Sequence, residues 1–430
     1  MKAFDKIIKC KICGLAALTD VLSFPAQHLS ATFVKDNDAS EIARIKVPLT
    51  LALCDPSRNK KACGHLQLRE EVYPDLLYHQ YFYRSSTSAT MREDLLDVVN
   101  DIQSKVSLRD NDIVVDIGAN DFTMIGYYPD NYRRVGFEPA QNIDWDHVEP
   151  SITKINDYFS IKPFKEAFAN ERAKAISCCA MFYDLADPNS FVRSIREMLA
   201  PDGMWCAQLS YLPLMLKNLN FYDICHEHLS YYSLDSLQKL MKKNGLEVID
   251  ASTNPVNGGS IRVFVAHSNN TAAITREGSA RIEALLAEER SMDLMEVSTY
   301  ETFYDKIMML ATKTQGRINH HINRGKQVFG LGASTKGNVL IQLFGLNKTL
   351  LPKINERNVE KVGLRTLGTD IELISEEEAH AANPAAMLVL PWYFKDEIIK
   401  REKPYLDVGG ELLFPMPYVH IVNKDGEVRL

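Results

Sequence analysis

Short apolar runs that end in a carboxylate and a glycine turn recur along the middle of this chain. Ile113, Val114 and Val115 lead into Asp116 and a turn at Gly118, and Val135 to Phe137 lead into Glu138. A run with no polar residue at alternate positions predicts a parallel strand covered on both faces. Further strand-like pieces lie over 152–159, 175–182, 204–209, 246–250 and 261–266. Apolar residues at helical spacing predict helices over 91–106, 191–199 and 234–244, the last stopped by Gly245. Strand alternating with helix predicts a largely parallel, doubly wound α/β sheet.

The texture changes after about residue 272. Residues 276–323 are nearly free of glycine and proline, with Ile282, Leu285, Leu286, Met292, Leu294 and Met295 spaced among charges, which predicts helix partly linking two domains. Gln327 to Asn338 then read as a strand, a glycine turn at Gly330 and Gly332, and a helix start. Residues 386–390 are another buried strand. A second, smaller Rossmann-like sheet is expected there.

The acid at the second strand tip brings in chemistry. A carboxylate about 20 residues past the first glycine is where such a sheet grips ribose hydroxyls. Gly118 stands alone, however, and Asn120, Asp121 and Phe122 fill the later positions of a dinucleotide glycine pattern. A pyrophosphate would meet an acid there and be repelled. A cationic sulfonium with an amino-acid tail would not, so Asp116 and Asp121 suit S-adenosylmethionine better than NAD. The competing reading is a plain strand end and turn, with a nicotinamide oxidoreductase as the weaker enzyme rival. Asp157, at the end of the third strand piece, joins the expected cofactor set. Between 81 and 92 the chain gathers Tyr81, Tyr83, Ser85 and Ser88 ahead of the 91–106 helix, as a cap over a polar ligand or an ordinary helix cap.

Composition narrows the classes. Of 430 residues, 46% are hydrophobic and 24% charged, and the net charge is −7, which argues against non-specific nucleic-acid binding. No apolar run reaches the length of a membrane span. The start is basic (Lys2, Lys6, Lys9, Lys11), but charges and Cys10 and Cys13 interrupt its apolar piece, so the expected location is cytoplasmic. Eight cysteines are then thiols or metal ligands. Cys10 and Cys13 form C-x-x-C, and Cys54 and Cys63 follow. Two thiolate pairs suit tetrahedral Zn²⁺ in a structural role, provided the wide second pair folds back; His65 is a substitute ligand. A redox C-x-x-C lacks a thioredoxin-like context.

Two further clusters carry chemistry. In Cys225-His226-Glu227-His228, an extended chain would send both histidines one way and Glu227 the other. Histidine titrates near neutrality and suits removal of a proton beside a carbonyl; the plain alternative is a pair of loop histidines. Ser334, Thr335 and Lys336 at a helix start form an anion cradle without the spacing of a P-loop.

The ordered set C-x-x-C, Y-x-Y-R-S-x-T-S, D-I-G-A-N-D, G-F-E-P, A-P-D-G, C-H-E-H, N-G-G-S-I-R and G-A-S-T-K-G resembles the S-adenosylmethionine-dependent sugar C-methyltransferases over nearly the whole chain. The resemblance implies a small zinc-binding domain (1–75), a central class I methyltransferase domain (76–272) and a helical linker with a C-terminal Rossmann-like domain (273–430). It implies zinc on Cys10, Cys13, Cys54 and Cys63. It puts S-adenosylmethionine at Asp116, Gly118, Asn120, Asp121 and Glu138. It makes His228 the base, with Glu227 beside it, and places Tyr81 or Tyr83 near the sugar. Asn257, Ser334 and Lys336 would line the groove of a nucleotide-linked keto-deoxysugar. Three positions depart from the family pattern: Phe122 replaces a glycine, Cys225 a tyrosine and Asp184 a histidine. The last two would sit at the sugar. Remaining alternatives are an O-methyltransferase and a non-catalytic nucleotide-sugar-binding zinc protein. A monomer or weak dimer is expected.

Overall fold

The computed structural model describes residues 2–36, 40, 42–77 and 84–430. Near the N-terminus, β1 (Leu18–His28), β3 (Lys46–Cys54) and β4 (Leu66–Leu68) form an antiparallel sheet, whereas β2 (Phe33–Val34) leaves it. Helix α1 (Ala89–Lys105) follows. Ser88 caps it by accepting from the Met91 amide, and Met91, Leu95, Val98, Val99 and Ile102 form its buried stripe.

The central sheet is built from β5 (Ile113–Ile117), β6 (Arg133–Phe137), β7 (Thr153–Ile155), β8 (Ala173–Cys179) and β9 (Leu199–Ser210), with α2 (Pro188–Met198) crossing between the last two. All five run parallel. The chain then makes β10 (Ser230–Tyr231), α3 (Leu234–Lys243), β11 (Leu246–Asn254) and β12 (Ser260–His267). The order is β11-β12-β9-β8-β5-β6-β7, and β12 alone is reversed. The sheet is therefore largely parallel, with helices covering its faces, and every residue of β5 is buried. Strand β10 is not part of it; Ser230 and Tyr231 pair with Gln67 and Leu66 of β4.

The predicted helix over 276–323 is two helices, α4 (Arg276–Arg290) and α5 (Val297–Ile322). The break falls where Asp293 takes φ of +51° and Leu294 turns inward. The third strand is shorter than its apolar pattern suggested, because Asn156 donates its side-chain amide to the Glu138 carbonyl and ends the ladder.

After α5 come β13 (Val328–Leu331), α6 (Thr335–Leu343), β14 (Lys353–Glu356), β15 (Arg365–Thr366), β16 (Glu372–Ser375), β17 (Ala386–Val389), β18 (Leu412–Phe414), β19 (His420–Asn423) and β20 (Gly426–Arg429). The strands form one sheet, with β13, β14, β16, β17 and β18 parallel. Its far edge is β2, where Phe33 and Val34 pair with Thr366 and Arg365. One buried apolar cluster spans all three parts, and within it Phe221 stacks on Phe344 with ring centroids 5.2 Å apart.

Candidate active site and metal centre

The four early cysteines converge. Cys10 and Cys13 lie on a tight knuckle, where the Gly14 amide donates to the Cys10 carbonyl at 2.9 Å. Cys54 ends β3. The chain then folds back through Asp55, whose carboxylate accepts from the Ser57 amide at 2.7 Å, and returns Cys63 beside Cys54. All four Sγ atoms lie within 4.8 Å of one another, with Cys10–Cys63 at 3.4 Å and Cys13–Cys54 at 3.5 Å. A tetrahedron with Zn–S bonds of about 2.3 Å has S···S edges of about 3.8 Å. The amides of Ile12 and Cys63 point at Cys10 and Cys54 sulfurs, as suits thiolates. Contacts with Cys54 and Cys63 push the Cys10 thiol up, so full ionisation calls for a cation. The donor set fits Zn²⁺, and four protein ligands leave no open position. His65 is not among them: it is fully buried beside Ser230, at 3.2 Å, and against the Tyr232 ring.

The turn after β5 is held by the tip of β6. The amides of Gly118 and Ala119 donate to the Phe137 carbonyl at 2.9 Å. Glu138 accepts from the Asn120 amide on one oxygen and the Ala140 amide on the other, both at 2.8 Å. Gly118 has φ of +77°, which a glycine adopts without strain. This turn forms one wall of a cleft of about 450 Å³ lined also by Ser85, Asp116 and Asp157, with Met91, Leu95, Met124, Met181, Phe159 and Phe191 supplying apolar surface. Burial pushes the Glu138 carboxyl up against the pull of its two amides. Burial likewise pushes Asp116 up to about 7, partly offset by the Ser177 hydroxyl at 3.1 Å. A fixed carboxylate at a strand tip, bare glycine backbone and an apolar trough together fit an adenosyl group.

Two expected cofactor residues stand outside this cleft. The Asp121 carboxylate is engaged by the Ser86 amide at 2.8 Å and the Thr123 hydroxyl at 2.7 Å. Ser88 caps α1 and touches Glu397 at 3.4 Å. Phe122, at the position expected of a glycine, takes the φ of +64° that glycine would favour and packs its ring against Trp145.

The same cleft is lined also by Asp184, Leu185, Glu227 and Leu229. Residues 225–228 form a turn rather than an extended strand, closed by the His228 amide on the Cys225 carbonyl at 3.2 Å. The two histidines therefore do not point one way. His226 is buried against the Val47 carbonyl at 3.2 Å, in the N-terminal sheet. The His228 ring packs on Tyr183, centroids 4.2 Å apart, and is hydrogen-bonded to the Asp223 backbone. It is not among the side chains that line the cleft, as Asp184 and Glu227 are. Burial, with the Lys336 ammonium nearby, lowers His228 to about 3, well below the near-neutral titration expected of it from sequence, so the imidazole is neutral at pH 7 and a weaker proton acceptor than a solvated histidine. Cys225 is fully buried, and burial pushes its thiol up.

The residues expected at the substrate groove make internal contacts. Lys336 forms an ion pair with Asp223 and lies over the rings of Tyr222 and Tyr393. Asn257, with φ of +54°, offers its carbonyl to Lys336 at 3.5 Å. Ser334 caps α6 by accepting from the Gly337 amide at 3.0 Å. Tyr81 and Tyr83 lie outside the described residues. Sequence reasoning missed Ser30, whose hydroxyl reaches Glu227 at 3.5 Å from the N-terminal part; nothing in its local sequence marks it.

Three family models match the chain in order: "Putative zinc binding domain" over 10–78, "Methyltransferase domain" over 88–251 and "C-methyltransferase C-terminal domain" over 255–417. C-methyltransferase NovU from Streptomyces niveus is 30% identical over 421 residues, 97% of this chain and 98% of that protein. Among solved structures, a chain of the complex between the Haloferax volcanii Trm112 methyltransferase activator and a methyltransferase is 12% identical, covers 41% of this chain and 92% of that chain, and gives a TM-score of 0.35. An S-adenosylmethionine-dependent methyltransferase from Clostridium acetobutylicum is 11% identical over 41% of this chain and 92% of its own, with a TM-score of 0.32. Among the described residues, no helix is long and apolar enough to cross a membrane. With a four-cysteine cluster that fits zinc, a cleft at the strand tips of a largely parallel sheet and a relative matched end to end, the chain belongs to the S-adenosylmethionine-dependent C-methyltransferase family.

Proposed function

We propose that the protein methylates a carbon of a nucleotide-linked keto-deoxysugar through an enolate. The observation that carries this reading is the lining of the cleft: one cavity brings the Gly118–Glu138 turn together with Asp184 and Glu227, which would let a donor methyl and a polar acceptor meet inside it. S-adenosylmethionine, when bound, supplies an electrophilic methyl carbon on a sulfonium. Glu138 would hold the ribose, with Asp116, Asn120, Asp157 and Ser85 around the remainder of the cofactor.

A sugar carbon becomes a nucleophile by losing a proton beside a carbonyl. His228 is the proposed base: it is neutral, it stands between the cleft-lining Glu227 and Leu229 in the chain, and its ring is held by Tyr183 and the Asp223 backbone, so the acceptor carbon would have to reach past Glu227 to meet it. Tyr81 or Tyr83 would hydrogen-bond near the sugar. Asn257, Lys336 and the α6 turn would border the nucleotide. His228→Asn is expected to lower turnover on the order of 10² to 10⁴-fold, the usual range for a lost general base, while S-adenosylhomocysteine binding persists. Near-full activity in that variant would remove His228 from the mechanism.

One observation favours a second reading of the base. The Oε1 atom of Glu227 is buried without a partner, and Glu227, unlike His228, lines the cleft. Washing of deuterium from solvent into the sugar, measured in His228→Asn and in Glu227→Gln, separates the two: the variant that stops exchange has lost the base.

A further inference from the structure

Two carboxyl groups in the lining of the cleft have no cation of their own. Asp184 sits on the short turn that follows β8, and Glu227 on the turn before β10. Both line the cleft. Glu227 is 8% exposed, and Asp184 Oδ1 and Glu227 Oε1 are each buried with no hydrogen-bond partner. Lys336, the cation within electrostatic reach of Asp184, is already paired with Asp223 at 2.7 Å. Two neighbouring carboxylates in such a place cannot both stay ionised.

The surroundings say which one keeps its charge. Burial pushes the Glu227 carboxyl up as well, but donors pull it back: the Ser30 hydroxyl at 3.5 Å, the Cys225 thiol and backbone amides. The groups facing Asp184 are Glu227, Cys225, Tyr231 and Lys336, and none donates a hydrogen bond to its Oδ1. Burial and the Glu227 charge push the Asp184 carboxyl well above the usual range.

We propose that Asp184 is a protonated carboxylic acid that donates a hydrogen bond to the substrate oxygen which becomes negative when the carbon proton is removed, with Glu227 as the ionised partner that keeps the proton on Asp184. This rests on the enolate reading. As the C–H bond breaks, its proton passes to the base and its electron pair moves through carbon onto the carbonyl oxygen. Asp184 lends its O–H to that oxygen and keeps its own proton. The pair then returns to carbon, forms the C–C bond to the incoming methyl, and the S–C bond breaks with its electrons left on sulfur. The base later gives its proton to water. A neutral acid donor in an enclosed site stabilises such an oxyanion without adding charge to the resting cleft.

Infrared difference spectra of the zinc-loaded protein test the proton directly. Wild type minus Asp184→Asn at pH 7 is expected to contain the carbonyl stretch of one protonated carboxylic acid. In Glu227→Gln that stretch should disappear at lower pH than in wild type, because the like charge is gone. No such band at pH 7 overturns the proposal, whatever the substrate. The donor role is read by turnover and solvent-deuterium exchange with a thymidine-diphosphate 4-keto-6-deoxysugar as probe. Asp184→Leu should fall on the order of 10² to 10³-fold, and Asp184→Asn, which keeps an N–H donor, should fall less. Equal rates for Asp184→Leu and wild type overturn it. S-adenosylhomocysteine binding by each variant checks that it folds. A wild type that neither exchanges nor methylates the probe counts against this choice of substrate class, while the infrared arm still decides where the proton sits.

Discussion

The Lys336 ammonium lies 2.7 Å from the Asp223 carboxylate, and both side chains are largely buried beneath Tyr222 and Tyr393. A lysine that by type and place looks like an anion ligand is thus tied across the junction between the two Rossmann-like parts. Removing one member of a buried pair leaves the other uncompensated, at a cost of about 3–5 kcal/mol. Lys336→Met should lower stability to denaturant by that order, and the double variant Lys336→Met, Asp223→Leu should recover much of the loss. A single variant as stable as wild type would show that the pair contributes nothing.

Acid should weaken the fold through His226. Burial lowers this imidazole to about 4 from 6.5, and its backbone partner Val47 raises it only in part. The unfolded chain takes up the proton first as pH falls. The stabilisation is therefore full above pH 6.5 and is lost as pH drops towards 4, on the order of 3 kcal/mol at the end. Denaturant unfolding of wild type and His226→Gln across that range checks it; the variant should give the flatter profile.

Chelation should release one Zn²⁺ per chain and lower the melting temperature. Cys13→Ser should bind zinc far more weakly, since a structural zinc site contributes its binding free energy to folding. Metal content by mass spectrometry, read beside thermal melts, decides this.

Glu138 holds two backbone amides at 2.8 Å and lines the cleft proposed for the cofactor. Glu138→Ala removes a charged acceptor and frees the turn. With a hydrogen bond to a charged group at about 1.5–3 kcal/mol, S-adenosylhomocysteine affinity should fall roughly 10 to 100-fold. Titration calorimetry gives the number.

Phe122 carries an unfavourable positive φ yet is 3% exposed. Phe122→Gly would relieve roughly 1–2 kcal/mol of backbone strain but lose burial of a ring, about 3–5 kcal/mol. The net is a destabilisation of roughly 1–4 kcal/mol, read as a shift in the denaturant midpoint.

The strands at 113–117 and 133–137 and the zinc knuckles were legible because each rests on a local rule: unbroken apolar runs, a glycine turn, paired thiols. The direction of His226 was not, because a four-residue turn at Cys225–His228 replaces the extended chain that alternation assumes. Asp121, Ser88 and Ser334 have the residue types of ligands but act as turn and helix caps, two jobs that use the same oxygens. Ser30 reaches Glu227 from almost 200 positions away, and no local pattern encodes such a contact.

Strand exchange ties the three parts into one body. Phe33 and Val34, contributed by the N-terminal segment, finish the edge of the last sheet, while Ser230 and Tyr231, from the middle of the chain, finish the edge of the first. A hinge that swung any part away would have to unzip backbone ladders. Substrate entry and product escape should then depend on loops at the mouth of the cleft, and a fragment cut at the sequence boundaries would be left with a raw sheet edge.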